Sequence, residues 1–105
     1  MKLRWSSVAL QEVEKTIEYY DQVRPGLGGE FAAVLQDSLS KIKARPDGFS
    51  FVETLPTSLS YRRLRLPQFP YLVVFRPSLK LIEIVAVVHT SRRPNYWLRR
   101  GEESR

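Results

Sequence analysis

Apolar residues near the start of the chain recur at the spacing of an amphipathic helix. Ser6 or Ser7 can cap this helix, because a serine hydroxyl accepts a hydrogen bond from a free N–H of the first turn. The helix should end near Val23, because Arg24 precedes Pro25 and is pushed out of the helical region. The apolar positions expected to face the core are Val8, Val13, Ile17 and Tyr20.

A second helix is expected over residues 29–44, after a glycine-rich turn at 25–29. Its apolar stripe repeats at steps of four, four and three residues and consists of Phe31, Leu35, Leu39 and Ile42. Two amphipathic helices joined by a short turn predict an antiparallel hairpin with one face to bury. We also expect Tyr19 and Tyr20 to pack on the helix face.

The remaining apolar segments have the length of β-strands. Four such segments are residues 2–6, 61–66, 71–75 and 81–88, and short connections at 67–70 and 76–80 favour hairpins. Phe49, Phe51 and Val52 indicate a short irregular strand within a looser stretch at 49–60. The order β-α-α-β-β-β predicts an α+β domain, with a helical hairpin packed on one face of a small antiparallel sheet. The first strand should lie at an edge or beside the last strand, and the other face can stay wet.

Composition narrows the class of protein. The 105 residues fit one domain over 1–105, and the absence of cysteine excludes a disulfide framework. No apolar run reaches the length of a membrane span, and the first residues lack an apolar signal core. We therefore expect a soluble, cytoplasmic protein with no membrane association.

Positive charge is concentrated in the second half of the chain. The formal net charge is +6, from 17 Lys and Arg against 11 Asp and Glu. Between residues 61 and 100 the only acid is Glu83, and His89 adds a further cation when protonated. Such a basic half predicts an acidic protein, a nucleic acid or a phosphate as partner. The basic residues of this half are Arg62, Arg63, Arg65, Arg76, Lys80, Arg92, Arg93, Arg99 and Arg100.

Several kinds of chemistry find no support in the sequence. One histidine and no cysteine cannot form a typical zinc site, so no metal and no cofactor is expected. The glycines at 26–29 join two helices, whereas a phosphate-binding loop joins a strand to a helix. Glu12, Glu14 and Glu18 are interpreted as a solvated helix face that pairs locally with Lys15, not as a catalytic carboxylate pair.

The order of several sequence pieces resembles the RelE/ParE superfamily of bacterial toxins. The pieces are PGLGGEF, RRLRL, FPYLVVF, IVAVVH and the H-x-x-R-x-P-x-Y-W ending formed by His89, Arg92, Pro94, Tyr96 and Trp97. The resemblance implies the toxin of a type II toxin–antitoxin module, of the plasmid-stabilisation kind, that arrests growth and is neutralised in a hetero-oligomer with its cognate antitoxin. RelE-like members cleave mRNA on the ribosome, whereas ParE-like members inhibit DNA gyrase.

The resemblance also indicates which residues each branch would use. For a ribonuclease, the candidates are Arg63 and Arg65 on one strand face, Arg92 on the phosphate, and His89 or Tyr96 for proton transfer. No Arg or Lys lies between Leu66 and Phe75, where RelE-like nucleases place an arginine and this chain has Tyr71. This departure favours a ParE-like binding inhibitor over an enzyme; a ribosome-dependent endoribonuclease and a non-toxic antitoxin-binding remnant remain as alternatives. The residues expected to bind target or antitoxin are Arg62, Arg63, Arg65, Tyr71, Arg76, Arg92, Arg93 and Trp97.

Each of these candidates also has a simpler structural interpretation. Tyr96 and Trp97 are typical of core or sheet-edge packing. Arg92 can pair with a backbone carbonyl or with Glu83, and His89 can be a hydrogen-bonded structural residue at the end of its strand. Arg63, with Arg65, can form a solvated strand face.

Overall fold

The computed structural model describes residues 2–93 and 96–98. Its elements follow the predicted order β-α-α-β-β-β, so the α+β prediction is confirmed. Helix α1 spans Ser7–Val23 and helix α2 spans Leu27–Ala44. The strands are β1 (Lys2–Trp5), β2 (Arg62–Arg65), β3 (Tyr71–Pro77) and β4 (Leu81–His89), with short 3₁₀ turns at Pro46–Gly48 and Thr57–Leu59.

The four strands form one sheet in the order β1-β4-β3-β2. The pairs β2–β3 and β3–β4 are antiparallel hairpin neighbours, while β1 pairs in parallel with β4. Strand β1 therefore lies at an edge and also beside the last strand, as expected. The connection between these two parallel strands is long, as such a pair requires, and includes the helical hairpin and strands β2 and β3.

Ser6 joins the start of α1 to strand β4. Its hydroxyl oxygen accepts a hydrogen bond from Ala9 N at 3.0 Å and thereby caps the helix. The same hydroxyl donates to the carbonyl of Val85 at 3.1 Å, and Ser6 N donates to the carbonyl of Ile84 at 3.1 Å. The predicted cap thus fixes the angle at which the helix leaves the sheet.

The turn between the helices depends on two glycines. Arg24, before Pro25, is extended at φ −158°, which ends α1 as predicted. Gly26 has φ 91°, a left-handed conformation that glycine adopts without strain. The second helix starts two residues earlier than expected, so Gly28 lies inside it. A Cβ at Gly28 would collide with the carbonyl oxygen of Ile17, so the missing side chain permits the close helix contact.

The main core lies between the helical hairpin and the sheet. Phe31 and Ile42 of α2 are fully buried against Val73, Ile82 and Ile84 of the sheet. Aromatic rings extend this core near the turn: those of Tyr20, Phe31, Phe69 and Tyr71 lie in mutual edge or tilted contact. Burial, together with the nearby Tyr71 and Tyr19 hydroxyls, raises the pKa of Tyr20.

The buried stripe of α1 differs from the expected one at its start. Ala9 and Thr16 are buried, while Val8, expected in the core, is 38% exposed. Tyr19, expected to pack, is 58% exposed. Small residues occupy the stripe where α1 approaches β4 closely, and a pattern of large apolar residues cannot show such positions.

The second face of the sheet carries a smaller core of its own. Val52, Tyr61, Val74, Val88 and Trp97 are buried together there. The rings of Tyr61 and Trp97 meet edge-on, with centroids 5.0 Å apart. The expectation of a wet face is therefore wrong for this part of the sheet, because the 49–61 segment and the chain after β4 cover it.

Two further expectations concern the less regular segments. The irregular strand expected near 49–52 appears as a single bridge between Phe51 and Arg62. The helical turn expected over 94–100 lies mostly outside the described residues. Within the described part, neither helix is both long and apolar enough to span a membrane.

Candidate functional site

A cleft with an apolar floor and a cationic rim lies on the second face of the sheet. Its cavity measures about 210 Å³. We call it the arginine cleft; the floor consists of Val52, Leu72, Val74, Val88 and Trp97, and the rim of Glu53, Thr54, Arg63, His89, Thr90, Arg92 and Arg93.

Strand β2 supplies the first arginine of the rim. Arg63 pairs with Val74 across the β2–β3 ladder, which sets its side chain beside the apolar floor. Its guanidinium contacts the Glu53 carboxylate at 3.0 Å, with the Arg63 side chain 32% exposed and that of Glu53 80% exposed. So exposed a pair contributes little stability and can exchange partners readily.

The turn after β4 supplies the other two arginines. Thr90 N donates to the carbonyl of Pro70 at 2.8 Å, and Arg92 N donates to the carbonyl of His89 at 3.0 Å. This turn brings exposed Arg92 and Arg93 to the rim. The Arg92 guanidinium lies 4.2 Å from the centre of the Tyr96 ring, which holds it by a cation–π contact. In the described part of the chain Arg92 makes no ion pair with Glu83.

His89 borders the cleft, but it pairs with Tyr71 across the β3–β4 ladder, so its imidazole lies on the same side of the sheet as Tyr71. Its Nδ1 lies 3.0 Å from Ser91 N and 2.7 Å from Ser91 Oγ, and the backbone N–H donates to it. The imidazole also contacts the Tyr71 ring at 5.2 Å between centroids. These contacts fit the interpretation of His89 as a hydrogen-bonded structural residue at the end of its strand.

Tyr96 points its hydroxyl away from the cleft rim and toward helix α1. The phenol donates to Glu12 Oε2 at 2.7 Å, while Val87 N donates to Glu12 Oε1 at 3.1 Å. The interpretation of Glu12 as part of a solvated face is therefore wrong. Glu12 stands three residues after Ala9 and four before Thr16, and residues at this spacing lie on one face of a helix. The two small residues are therefore the sequence signal that could have placed Glu12 on the buried face.

The other arginines named from the sequence lie outside the cleft. Arg62 donates to the carbonyl of Phe49 at 2.6 Å and stacks on the Phe51 ring at 4.0 Å, with only 16% of its side chain exposed. Arg76 lies 3.5 Å from the Glu83 carboxylate and stacks on Tyr61. Both arginines therefore hold the fold through these contacts.

Arg65 and Tyr71 are likewise not brought into the cleft. Arg65 is exposed and lines a second cavity of about 410 Å³ beside the end of α2, which shares Arg63 with the arginine cleft. Tyr71 packs in the helix-side core, on the opposite side of the sheet from the floor residue Leu72. The structure thus unites Arg63, Arg92, Arg93 and Trp97, places His89 at their border, and separates the rest.

The rim also contains residues that sequence reasoning missed. Glu53, Thr54 and Thr90 lie in loops, where hydrophobic periodicity gives no signal. Among residues 2–93 and 96–98 no group of three or more acidic or histidine side chains could hold a metal. The arrangement suits the binding of a ligand that is both apolar and anionic.

Comparisons with known proteins agree with this architecture. The profile of the family described as "ParE toxin of type II toxin-antitoxin system, parDE" matches residues 3–94. A solved structure, "Chromosomal ParDE TA system from P. aeruginosa", superposes with a TM-score of 0.73 at 19% identity, covering 85% of this chain and 95% of that one. No curated protein matches the chain. Since the family profile spans nearly the whole described sequence, the chain belongs to the ParE toxin family of type II toxin–antitoxin systems.

Proposed function

We propose that this ParE family member acts by binding and not by hydrolysis, that DNA gyrase is its target, and that a cognate antitoxin neutralises it. Family membership supports a toxin and an antitoxin partner. The observation that carries the proposal is the arginine cleft, because it combines an apolar floor with a cationic rim. Apolar burial supplies affinity for a protein segment, and the charges supply rate and selectivity.

The rim keeps positive charge available for a partner. Among the residues that the structure describes, Glu53 is the only acid that lines it, and its carboxylate already meets Arg63. Neither Arg92 nor Arg93 forms an ion pair within the described residues, and both are exposed. An acidic side chain from a partner would therefore meet two arginines at little cost in broken contacts.

The side chains named for proton transfer in a ribonuclease already make hydrogen bonds. The Tyr96 hydroxyl is bound to Glu12, and Nδ1 of His89 is bound to Ser91. The β3 residues on the floor are Leu72 and Val74, so strand β3 contributes no cation to the cleft. RNA cleavage needs a base, an acid and cations around one phosphate, and this geometry favours binding instead.

Induction of the chain alone in a bacterial host tests the proposal. Pulse labelling measures DNA synthesis and protein synthesis separately. We expect early loss of DNA synthesis and filamentous cells. Immediate arrest of translation with cleaved mRNA would instead establish the ribonuclease. Normal growth with soluble protein present would identify a non-toxic antitoxin-binding remnant.

A matched pair of charge reversals tests the role of the cleft. Arg92→Glu should weaken gyrase inhibition in a supercoiling assay by about tenfold or more, because it places an acid where an acidic partner binds. Lys15→Glu changes the net charge equally on the exposed face of α1 and should leave inhibition unchanged. Equal effects of both variants would show that net charge, not the cleft, governs inhibition. Thermal unfolding of both proteins checks that the fold is retained.

A further inference from the structure

The three arginines at the rim of the arginine cleft differ in what holds their guanidinium groups. Arg63 donates to the Glu53 carboxylate at 3.0 Å, and a partner would have to replace this contact. Arg93 is exposed, and no residue in the described part of the chain holds its guanidinium. Arg92 instead lies against a ring, with its guanidinium carbon 4.2 Å from the centre of Tyr96. Among the described residues, Arg92 is therefore the rim arginine that is held without an acid.

A ring contact can hold a guanidinium without using its hydrogen-bond donors. In a cation–π contact the cation is attracted to the face of the ring. The N–H groups of the guanidinium form a planar fork, which can still meet both oxygens of a carboxylate. Within the described residues, the arginine side chains that donate hydrogen bonds are Arg24, Arg62, Arg63 and Arg76. The donors of Arg92 are not used in this part of the molecule and are available to a partner.

The Tyr96 ring is itself fixed through its hydroxyl. The phenol donates to Glu12 Oε2 at 2.7 Å, a length typical of a hydrogen bond to a charged acceptor. The other carboxylate oxygen accepts from the backbone N–H of the buried Val87 at 3.1 Å, which anchors Glu12 to strand β4. The ring also packs beside the small core on the second face of the sheet. Contacts at both its hydroxyl and its sides give the ring one orientation, and Arg92 meets the ring in that orientation.

This chain of contacts crosses the sheet at the point where β1 ends. Strand β1 pairs with β4 only as far as Ile84, so a side chain of α1 can reach Val87 at the sheet edge. Glu12 belongs to the helix layer, whereas Tyr96 packs on the second face. Donation from the phenol to the carboxylate makes the ring more negative, because bonded groups polarise one another, and this strengthens its attraction for a cation. Glu12 therefore acts on Arg92 through the ring of Tyr96.

We infer that Glu12 and Tyr96 are positioning residues of the arginine cleft, which hold the Arg92 guanidinium ready to bind a carboxylate of the partner. The inference rests on the proposed function, in which the cleft is the binding site, and it gives Arg92 the leading part among the rim arginines. A long side chain loses conformational freedom when it binds, and the loss is smaller where a contact already holds it. Arg93 has to be ordered on binding, and Arg63 has to leave Glu53, whereas Arg92 needs neither step.

The first test compares the two neighbouring arginines of the rim. Arg92→Gln and Arg93→Gln remove the same charge from adjacent exposed positions, so neither should disturb the fold. In a gyrase supercoiling assay, Arg92→Gln should weaken inhibition about tenfold or more, the range for a lost hydrogen bond to a charged group. Arg93→Gln should weaken it less than about fivefold, as for an exposed ion pair. An equal or reversed order of the two variants would contradict the inference.

The second test removes the hydroxyl that ties the ring to Glu12. Tyr96→Phe keeps the ring but loses the tether, and it should weaken inhibition about two- to fivefold, the range for a cation–π contact at an exposed site. Tyr19→Phe is the matched control, because it deletes the same hydroxyl from a tyrosine that is 58% exposed and outside the cleft, and it should inhibit normally. Thermal unfolding checks that both variants keep the fold.

A double substitution separates positioning from a general effect on structure. In an Arg92→Gln background, Tyr96→Phe should cause no further loss of inhibition, because the ring acts on the partner only through Arg92. A loss of the same size in both backgrounds would show that Tyr96 supports the structure in another way, and the inference would be wrong.

Nuclear magnetic resonance of the free chain tests the positioning without any partner. The ring current of Tyr96 should shift the Hδ signals of Arg92 upfield relative to those of Arg93. Tyr96→Phe should move the Arg92 signals toward those of Arg93, and Tyr19→Phe should leave them in place. Arg92 signals that stay unchanged in Tyr96→Phe would overturn the inference. A parent chain that does not inhibit gyrase would refute the proposed function instead, and these signals would still decide whether Arg92 is positioned.

Discussion

Glu12 shows how a single side chain connects three parts of this fold. One carboxylate oxygen accepts from the backbone of Val87 and the other from the hydroxyl of Tyr96. Strand β4 extends past the end of β1, so the buried Val87 N–H has no strand partner on that side. The carboxylate replaces the missing strand, and it also ties the segment after β4 to helix α1.

Removal of this carboxylate should destabilise the protein. Glu12→Ala leaves the Val87 N–H buried without an acceptor, so the free energy of unfolding should fall by about 1–3 kcal/mol. Urea denaturation followed by circular dichroism measures the change. The control Glu14→Ala alters an exposed glutamate on the same helix and should stay within about 0.5 kcal/mol of the parent. Equal stability of the two variants would remove Glu12 from the structural role assigned to it.

The helical hairpin is the element that sequence analysis predicted best, and its close contact is the detail that it missed. Caps, the proline stop and the apolar stripe of α2 are local features, so the sequence contains them directly. The contact at Gly28 is not local: its N–H donates to Asp21 Oδ1 at 2.8 Å, and an added Cβ would collide with the carbonyl oxygen of Ile17. Which of the turn glycines must lack a side chain depends on how the two helices meet.

Two glycine substitutions in α2 separate helix propensity from helix contact. Gly28→Ala should lower the free energy of unfolding by about 1–3 kcal/mol, because the new methyl group overpacks the contact between the helices. Gly29→Ala has open space around its Cβ and should raise stability by up to about 1 kcal/mol through better helix propensity. Denaturant unfolding of both variants measures these opposite signs. A stable Gly28→Ala protein would show that the hairpin opens to admit the methyl group.

At the scale of the whole molecule, charge and core are divided between the two faces of the sheet. The helix face carries the larger core, and the second face carries a smaller one with the arginine cleft beside it. The net charge of +6 gives the molecule a long-range attraction for acidic partners, in addition to the contacts that we propose at the cleft.

The rate of association with an acidic partner should therefore depend on salt. The screening length falls from about 30 Å at about 10 mM salt to about 8 Å at physiological salt, so the association rate constant should fall over this range. The dissociation rate should change much less, because apolar contacts at the cleft floor are not screened. Stopped-flow mixing with the antitoxin or with gyrase measures both rates. A rate constant for association that is independent of salt would exclude electrostatic steering.

The sequence by itself determined the order of elements, the caps and turns, and the presence of a basic half. These features follow from side-chain periodicity and from the backbone limits of proline and glycine, which act within a few residues. It also supplied the resemblance to toxins, which the family profile confirms.

Only the tertiary structure decided which basic residues share a site. Arg63 and Arg92 are distant in sequence, and they meet because β2 and the turn after β4 border the same sheet face. Arg62 and Arg76 have the same chemistry, but Arg62 donates to the carbonyl of Phe49 and Arg76 pairs with the Glu83 carboxylate. The neighbours of a side chain depend on strand order and register, which arise from contacts between distant segments, so no local pattern could have separated these arginines.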